Sequence, residues 1–409
     1  MKRVAWLALA IGLAWLAQRQ FDSGGVVRDA LLLYLAAAVA FVIGVRHLHS
    51  RPGAPDAAPF RLERPGQVRL VLALAGALLA LVGMSRFHQD VTSNLGLWLW
   101  LAGMSVLALT FAPQPRLSRA FFKAHRIEIL IFVLLMALAL FMRLYHLGQF
   151  PSGAYLDEAD NGLESLRLGD SSYYVPFTRA SNGHATLYYY LLWLGFKLFG
   201  EGVLAMRLVT ALIGLGTVAA FYFLARELFG MRAAQFATCA LAVSRWHVNF
   251  SRVVFEGVLT PFFAVLAFLL LVRAFRYGRW RDYIWAGLAL GLGMQGYIGY
   301  RVFPAIAALY ILLQLFALRG AWRAWWKGLL ALVVAALIGF GPLGVYFLKY
   351  PEDFTHRASQ ASVMQDVERH GSYDPLKANI RKTALMFNYQ GDPRPRHNLP
   401  NEPMLDYWT

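Results

Sequence analysis

The stretch "PSGAYLDEADNG", residues 151–162, places Asp157, Glu158 and Asp160 within four positions, and Glu164 follows one turn later. Carboxylates this close together, just after a long apolar run, suit two kinds of chemistry. One is a general base that takes a proton from a hydroxyl; the other is a cation site. Read as a helix beginning near Leu156, at about 100° per residue, Asp157, Asp160 and Glu164 share one flank and Glu158 turns away. Leu156, Ala159, Leu163 and Leu166 then form an apolar stripe able to lie on lipid. A solvated acidic loop is the plainer alternative, and composition alone does not separate the two.

A second group of polar residues has the right types for gripping an anion. Arg252 and Glu256 stand in "HVNFSRVVFEGV", and Arg301 follows Tyr297 and Tyr300 in "QGYIGYRVFP". Arginine presents a planar fork that matches phosphate oxygens. The structural alternatives are an arginine snorkelling to the interface and an Arg252–Glu256 pair at i, i+4. His184 opens "NGHATLYYYLL", and a lone histidine there is more often a capping or interfacial residue than a ligand. Asp392 and His397 lie in the polar tail, where they are able to close over a site or serve plain loop structure. "GLGMQG", 291–296, matches a dinucleotide loop letter for letter but lies inside an apolar segment, so its glycines read as small residues for close helix packing. No Walker loop, HExxH or GxSxG is present.

The chain that positions these groups is 58% hydrophobic and only 15% charged, and apolar runs recur from end to end. That makes it an all-α polytopic membrane protein, since a soluble domain carries about 25% charged residues. The net charge of +16 therefore reports orientation before it reports nucleic acid, and no nucleic-acid partner is expected. The single cysteine, Cys239, excludes an intramolecular disulfide and a cysteine-based zinc cluster.

Apolar segments lie near 4–18, 30–46, 69–84, 96–112, 127–146, 185–200, 204–226, 233–249, 255–273, 283–298, 303–318 and 328–348. With Lys2 and Arg3 inside, the loops around 46–69 and 113–126 are inside and basic, and 127–146 carries the acidic stretch outward. If 185–200 also crossed, Arg226, Arg232, Arg273, Arg276, Arg279, Arg281, Arg319, Arg323 and Lys327 would all face outside. Only Arg245, Arg252 and Arg301 would stand opposite them, which inverts the positive-inside rule. So 185–200, rich in Tyr and Trp, is predicted to be interfacial, leaving about eleven crossings of the hydrocarbon core. Residues 147–203 then form one external element along the bilayer, and every unusual polar group gathers at that face. The expected organisation is a four-span accessory bundle over 1–115, a catalytic membrane module over 116–348 and an external loop over 349–409.

The order of these pieces resembles a known family. An outward helix, an external "DE" loop, a His-led interfacial helix ending in "LFG", then "MRLVTALIGLGTVAAFYFLARELFG", "SRWHVNFSR" and "YIGYR" look like the GT-C membrane glycosyltransferases. The likeness, over about 116–409, is to bacterial relatives of the protein O-mannosyltransferases and the lipid A aminoarabinose transferases. It implies a GT-C transmembrane helix bundle with external juxtamembrane helices. It further implies inverting transfer of a sugar from a polyprenyl-phosphate donor to a protein, lipid or glycan acceptor, at the external face of the plasma (inner) membrane. Asp157 and Glu158 fall at the family's "DE" position, with Asp157 as general base. His184 stands where relatives show His-Pro-Pro, and "HAT" departs from that pattern. Arg252 and Arg301 fall where the lipid phosphate would be gripped, with Asp160, Glu164, Tyr297, Tyr300, Asp392 and His397 in support.

No cofactor is demanded by any motif; a divalent cation at the Asp157, Asp160 and Glu164 flank is left open. The resemblance also leads one to expect further helices and an end domain beyond "PMLDYWT", with part of the acceptor or carrier site among them. The rival readings are a transporter or flippase of lipid-linked sugars and a non-catalytic binder of the same carriers. A transporter predicts ionisable groups near the bilayer midplane and an internal repeat, and the sequence offers neither.

Overall fold

The computed structural model describes residues 2–22, 27–46, 62, 65–113, 118–180, 183–317, 322–360, 362–393 and 399–405. The chain is a helical membrane protein, as expected. Its helices are α1 (Lys2–Asp22), α2 (Val27–Arg46), α3 (Gln67–Gln89), α4 (Asn94–Thr110), α5 (Arg119–Ala124), α6 (Arg126–Leu144) and α7 (Leu156–Gly169). They continue with α8 (Leu187–Phe199), α9 (Val203–Phe229), α10 (Met231–Val243), α11 (Arg245–Phe250), α12 (Leu259–Tyr277) and α13 (Trp280–Gly293). The last are α14 (Phe303–Ala317), α15 (Trp322–Lys349), α16 (Pro351–Gln360), α17 (Val363–His370) and α18 (Asp374–Leu385). Short 3-10 turns at Glu256–Val258 and Ile298–Val302 join the longer helices. A two-residue hairpin, β1 (Phe177–Thr178) against β2 (His184–Ala185), pairs Thr178 with His184.

Six helical stretches of the described residues are long and apolar enough to cross a bilayer: Gln67–Gln89, Arg126–Leu144, Val203–Phe229, Glu256–Tyr277, Ile298–Phe316 and Trp325–Lys349. Asp29–Ala40 and Asn94–Thr110 are apolar but shorter. At about 1.5 Å per residue, α8 is roughly 20 Å long and falls short of the ~30 Å core, in keeping with an interfacial helix. The chain is thus a multi-pass membrane protein.

Contacts divide the chain into two compact units: Met1–Pro59 with Lys377–Asp406, and Phe60–Leu376 with Tyr407–Thr409. Within the second unit α3 packs on α4, and both pack on α15. In the first unit α1 lies on α2, and Gln18 donates to the Asn388 carbonyl at 3.1 Å while accepting from the Tyr34 hydroxyl. In the second, α9 packs on α6, α10 and α12, α12 on α13, and α13 on α15.

Gly287 and Gly291, the latter opening "GLGMQG", explain the last of these contacts. A Cβ on Gly287 would lie 2.2 Å from the Leu332 carbonyl oxygen, and one on Gly291 would lie 2.1 Å from that of Ala336. Only glycine lets the two backbones approach so closely, which is the packing role read from the sequence. Gly278 serves differently: at φ 63° it closes α12 in the left-handed conformation.

Candidate functional site

α7 begins at Leu156, as the acidic stretch predicted, and its first turn is fixed by a buried ion pair. Glu158 and Arg207 are 3% and 1% exposed. Arg207 donates to Glu158 twice, from Nε to Oε1 at 3.0 Å and from Nη2 to Oε2 at 2.8 Å. Glu158 Oε1 also accepts from the Val254 amide at 2.9 Å, and Oε2 from the Tyr155 amide at 3.1 Å. An ionised carboxylate offers about four acceptor sites, and all are taken by the protein. Burial works to raise its pKa, but the bonds from Arg207, Val254 and Tyr155 outweigh it and hold Glu158 below the usual glutamate value. Glu158 was expected to share the catalytic work with Asp157; its geometry is that of an anchor.

Arg207 spends its other donors on the loop entering α7. Nη1 donates to the carbonyls of Leu147 (3.2 Å) and Pro151 (2.8 Å), and Nη2 to that of Gly153 (2.6 Å). All five N–H groups are thereby satisfied. Arg252 holds the stretch just upstream. Its Nη1 donates to the carbonyls of Met142 (3.0 Å) and Arg143 (3.1 Å), and its Nη2 to those of Tyr145 (2.8 Å) and Phe150 (3.0 Å). The predicted phosphate-gripping fork is therefore occupied at the end of α6, where helix carbonyls need donors. Nor does Arg252 meet Glu256.

Glu256, 5% exposed, instead lies 2.8 Å from His184 Nδ1. The hairpin brings them together: His184 sits in β2, opposite Thr178, rather than in the helix it was expected to open. Thr178 in turn donates to Glu164 Oε1 at 2.5 Å, and Arg167 donates to both Glu164 oxygens at 2.7 and 2.6 Å. Burial acts against the Glu164 charge, yet the bonds from Arg167 and Thr178 prevail and lower its pKa. Tyr189, first by burial and then by the charges of Glu256, Glu164 and Asp160, is pushed above the ordinary phenol range. α7, the hairpin and the turn at Glu256 thus gather Glu164, His184, Glu256 and Tyr189 into one polar cluster.

Asp157, half-buried, and Asp160, exposed, occupy the same α7 flank as Glu164. On the stripe beside them, Leu156 and Leu163 are 71% and 68% exposed, as a lipid-facing edge requires. Among the described residues no three His, Cys, Asp or Glu side chains lie close enough to hold a metal ion.

Arg301 donates to the Phe354 carbonyl and lies over the Phe354 ring at 4.4 Å and the Phe347 ring at 5.2 Å. Among the described residues no carboxylate pairs with it, and a guanidinium keeps its positive charge. Tyr297 stacks edgewise on Phe255 at 5.3 Å. Tyr300 is wholly buried against Gly293 and Phe303, so it belongs to the core and not to the cluster. Asp392 is half-buried in the other unit, where its carbonyl accepts from the Asn401 amide at 3.2 Å. His397 lies outside the described residues.

A cavity of about 280 Å³ opens on the other side of the hairpin, lined by Phe177, Arg179, Gly183, Glu352, Asp353 and His356. Arg179 donates to both oxygens of Asp353, at 3.2 and 3.0 Å, and Asp353 also accepts from the Tyr346 hydroxyl at 2.7 Å.

Sequence reasoning passed over Arg207, although a signal was present. An arginine early in a 27-residue apolar helix needs a buried partner of opposite sign, and the acid-rich segment 157–164 is the nearest supply.

Residues 183–346 match the family model described as dolichyl-phosphate-mannose-protein mannosyltransferase. The match begins just before His184, takes in Arg207, Arg252, Glu256 and Arg301, and leaves α7 outside. No curated protein matches the chain. On a predominantly helical multi-pass fold, the family match supports a membrane glycosyltransferase of the GT-C superfamily. The matched stretch is less than half of the chain.

Proposed function

We propose that this glycosyltransferase moves a sugar from a polyprenyl-phosphate carrier to an acceptor hydroxyl at the outer face of the inner membrane, with inversion. The observation that carries the reading is the fixing of α7 by the Glu158–Arg207 pair beside a half-buried Asp157. A base must be held still relative to its substrate, and Glu158 supplies that rigidity from the next position in the chain. Asp157 takes the proton from the acceptor hydroxyl. The oxygen then attacks the anomeric carbon from the face opposite the phosphate, the C–O bond to phosphate breaks, and polyprenyl phosphate leaves.

The leaving phosphate requires fixed positive charge. Arg301 is the better candidate of the two predicted arginines, because Arg252 is committed to backbone carbonyls. The Glu164–His184–Glu256–Tyr189 cluster supports the sugar-binding end, where hydroxyls need both donors and acceptors. The acceptor is a protein, lipid or glycan; the family description favours a protein. The outward placement rests on the basic loops of the opposite face.

The test supplies membranes containing the protein with radiolabelled polyprenyl-phosphate sugars and follows label to material that no longer partitions with the carrier. Transfer above membranes lacking the protein supports the reading. A folded protein that moves no label from any donor contradicts it.

A further inference from the structure

We propose that a groove between α3, α4, α13 and α15 binds one anionic phospholipid, in the leaflet opposite the candidate catalytic loop. The groove is a cavity of about 280 Å³ with almost wholly apolar walls, among them Leu74, Phe111, Trp280, Trp326, Lys327 and Ile338. Leu74 is 62% exposed, so the groove opens sideways toward the surrounding lipid.

α4 fixes which end of the bundle this is. Near its start, Asn94 donates to the Ser172 carbonyl at 2.6 Å and accepts from the Tyr174 amide at 2.9 Å, in the segment just after α7. Its far end, Phe111, lines the groove; seventeen helical residues at about 1.5 Å each put roughly 25 Å between the two. From Lys327 to Ile338 the groove follows α15 for eleven residues, roughly 17 Å. That is about half of a ~30 Å hydrocarbon core, the depth of one leaflet. The occupant this length fits is an acyl chain that enters from its own interface.

The mouth is built for a charged headgroup. Lys327 stands there, 5.5 Å over the Trp326 ring. Arg279 and Arg281 flank Trp280 at the start of α13, at the same end. Lys and Arg at such an interface draw anionic lipids. The apolar walls take the acyl chain, and Lys327 at the mouth neutralises the charge of the headgroup phosphate.

The test is native mass spectrometry of the purified full chain titrated with dioleoyl phosphatidylglycerol or dioleoyl phosphatidylcholine. The wild type should retain phosphatidylglycerol with several-fold preference. Lys327→Gln should abolish the preference, and Leu74→Trp should plug the groove against both lipids. Equal retention of the two lipids by the wild type overturns the proposal. So does phosphatidylglycerol binding that survives both Lys327→Gln and Leu74→Trp in proteins whose melting midpoints match the wild type. Neither reading depends on transfer activity.

Discussion

Arg207 and Glu158 meet as a buried two-point pair, Nε to Oε1 at 3.0 Å and Nη2 to Oε2 at 2.8 Å, joining the start of α9 to the first turn of α7. Two charges are out of water here, and every polar atom of both side chains is bonded within the protein. Such a pair is hard to break from one side, because the survivor stays buried and unpaired.

Arg207→Ala should therefore destabilise the protein by about 3–5 kcal/mol, the usual cost of stranding one member of a buried pair. Arg207→Lys should recover part of that, since an ammonium keeps the charge but not the fork that reaches Glu158 and three carbonyls together. Thermal unfolding in detergent should rank wild type, Lys and Ala in that order. A Lys variant as stable as wild type would show that the fork is unimportant.

The same pair sets an acid limit. Glu158 and Glu164 are both held below the usual 4.5, because bonds from Arg207 and Val254, and from Arg167 and Thr178, outweigh burial. A folded-state pKa below the unfolded value means that protons bind the unfolded chain first on acidification. The stabilisation is complete above about pH 4.5 and is lost as pH falls through the folded values. Melting midpoints should hold steady from neutral pH to about 5 and then drop, and the drop should be shallower in Glu164→Gln than in wild type.

Arg252 and Arg301 should separate in steady-state kinetics. Arg301→Gln should raise the donor KM about tenfold, the effect of losing one charge-assisted contact of roughly 1.5 kcal/mol. Arg252→Gln should leave the donor KM within about twofold, while lowering stability by about 1–3 kcal/mol through the carbonyls it abandons. A large donor KM effect at Arg252 with unchanged stability would return the phosphate to that residue.

Gly291→Ala should cost about 1–3 kcal/mol by forcing α13 away from α15, because its Cβ would meet the Ala336 carbonyl oxygen at 2.1 Å. Gly66→Ala, whose Cβ meets nothing within 4 Å, is the matched control and should change the melting midpoint little.

The helical membrane class, the start of α7, the short α8 and the packing glycines could be read from the chain, because each depends on residues near one another in sequence. Hydrophobic length and charge asymmetry act locally, and so does a helical flank. The pairings could not. Arg207 reaches Glu158 across 49 positions, and His184 reaches Glu256 across 72. Arg252 and Glu256 have the spacing of a helical pair, but α11 ends at Phe250 and the next turn begins at Glu256, so no helix puts them on one face. Their neighbours in space come from α6 and the hairpin instead. Local pattern located the acidic segment; only the fold separated its anchor, Glu158, from the carboxylates left on its flank.

The most direct measurement compares sugar transfer from a radiolabelled polyprenyl-phosphate donor by wild type, Asp157→Asn and Asp160→Asn, at matched membrane levels. The account predicts a loss of about 10²-fold or more for Asp157→Asn, the usual contribution of a general base, and a much smaller change for Asp160→Asn. Transfer that survives in Asp157→Asn and collapses in Asp160→Asn would contradict it and move the base one turn along α7.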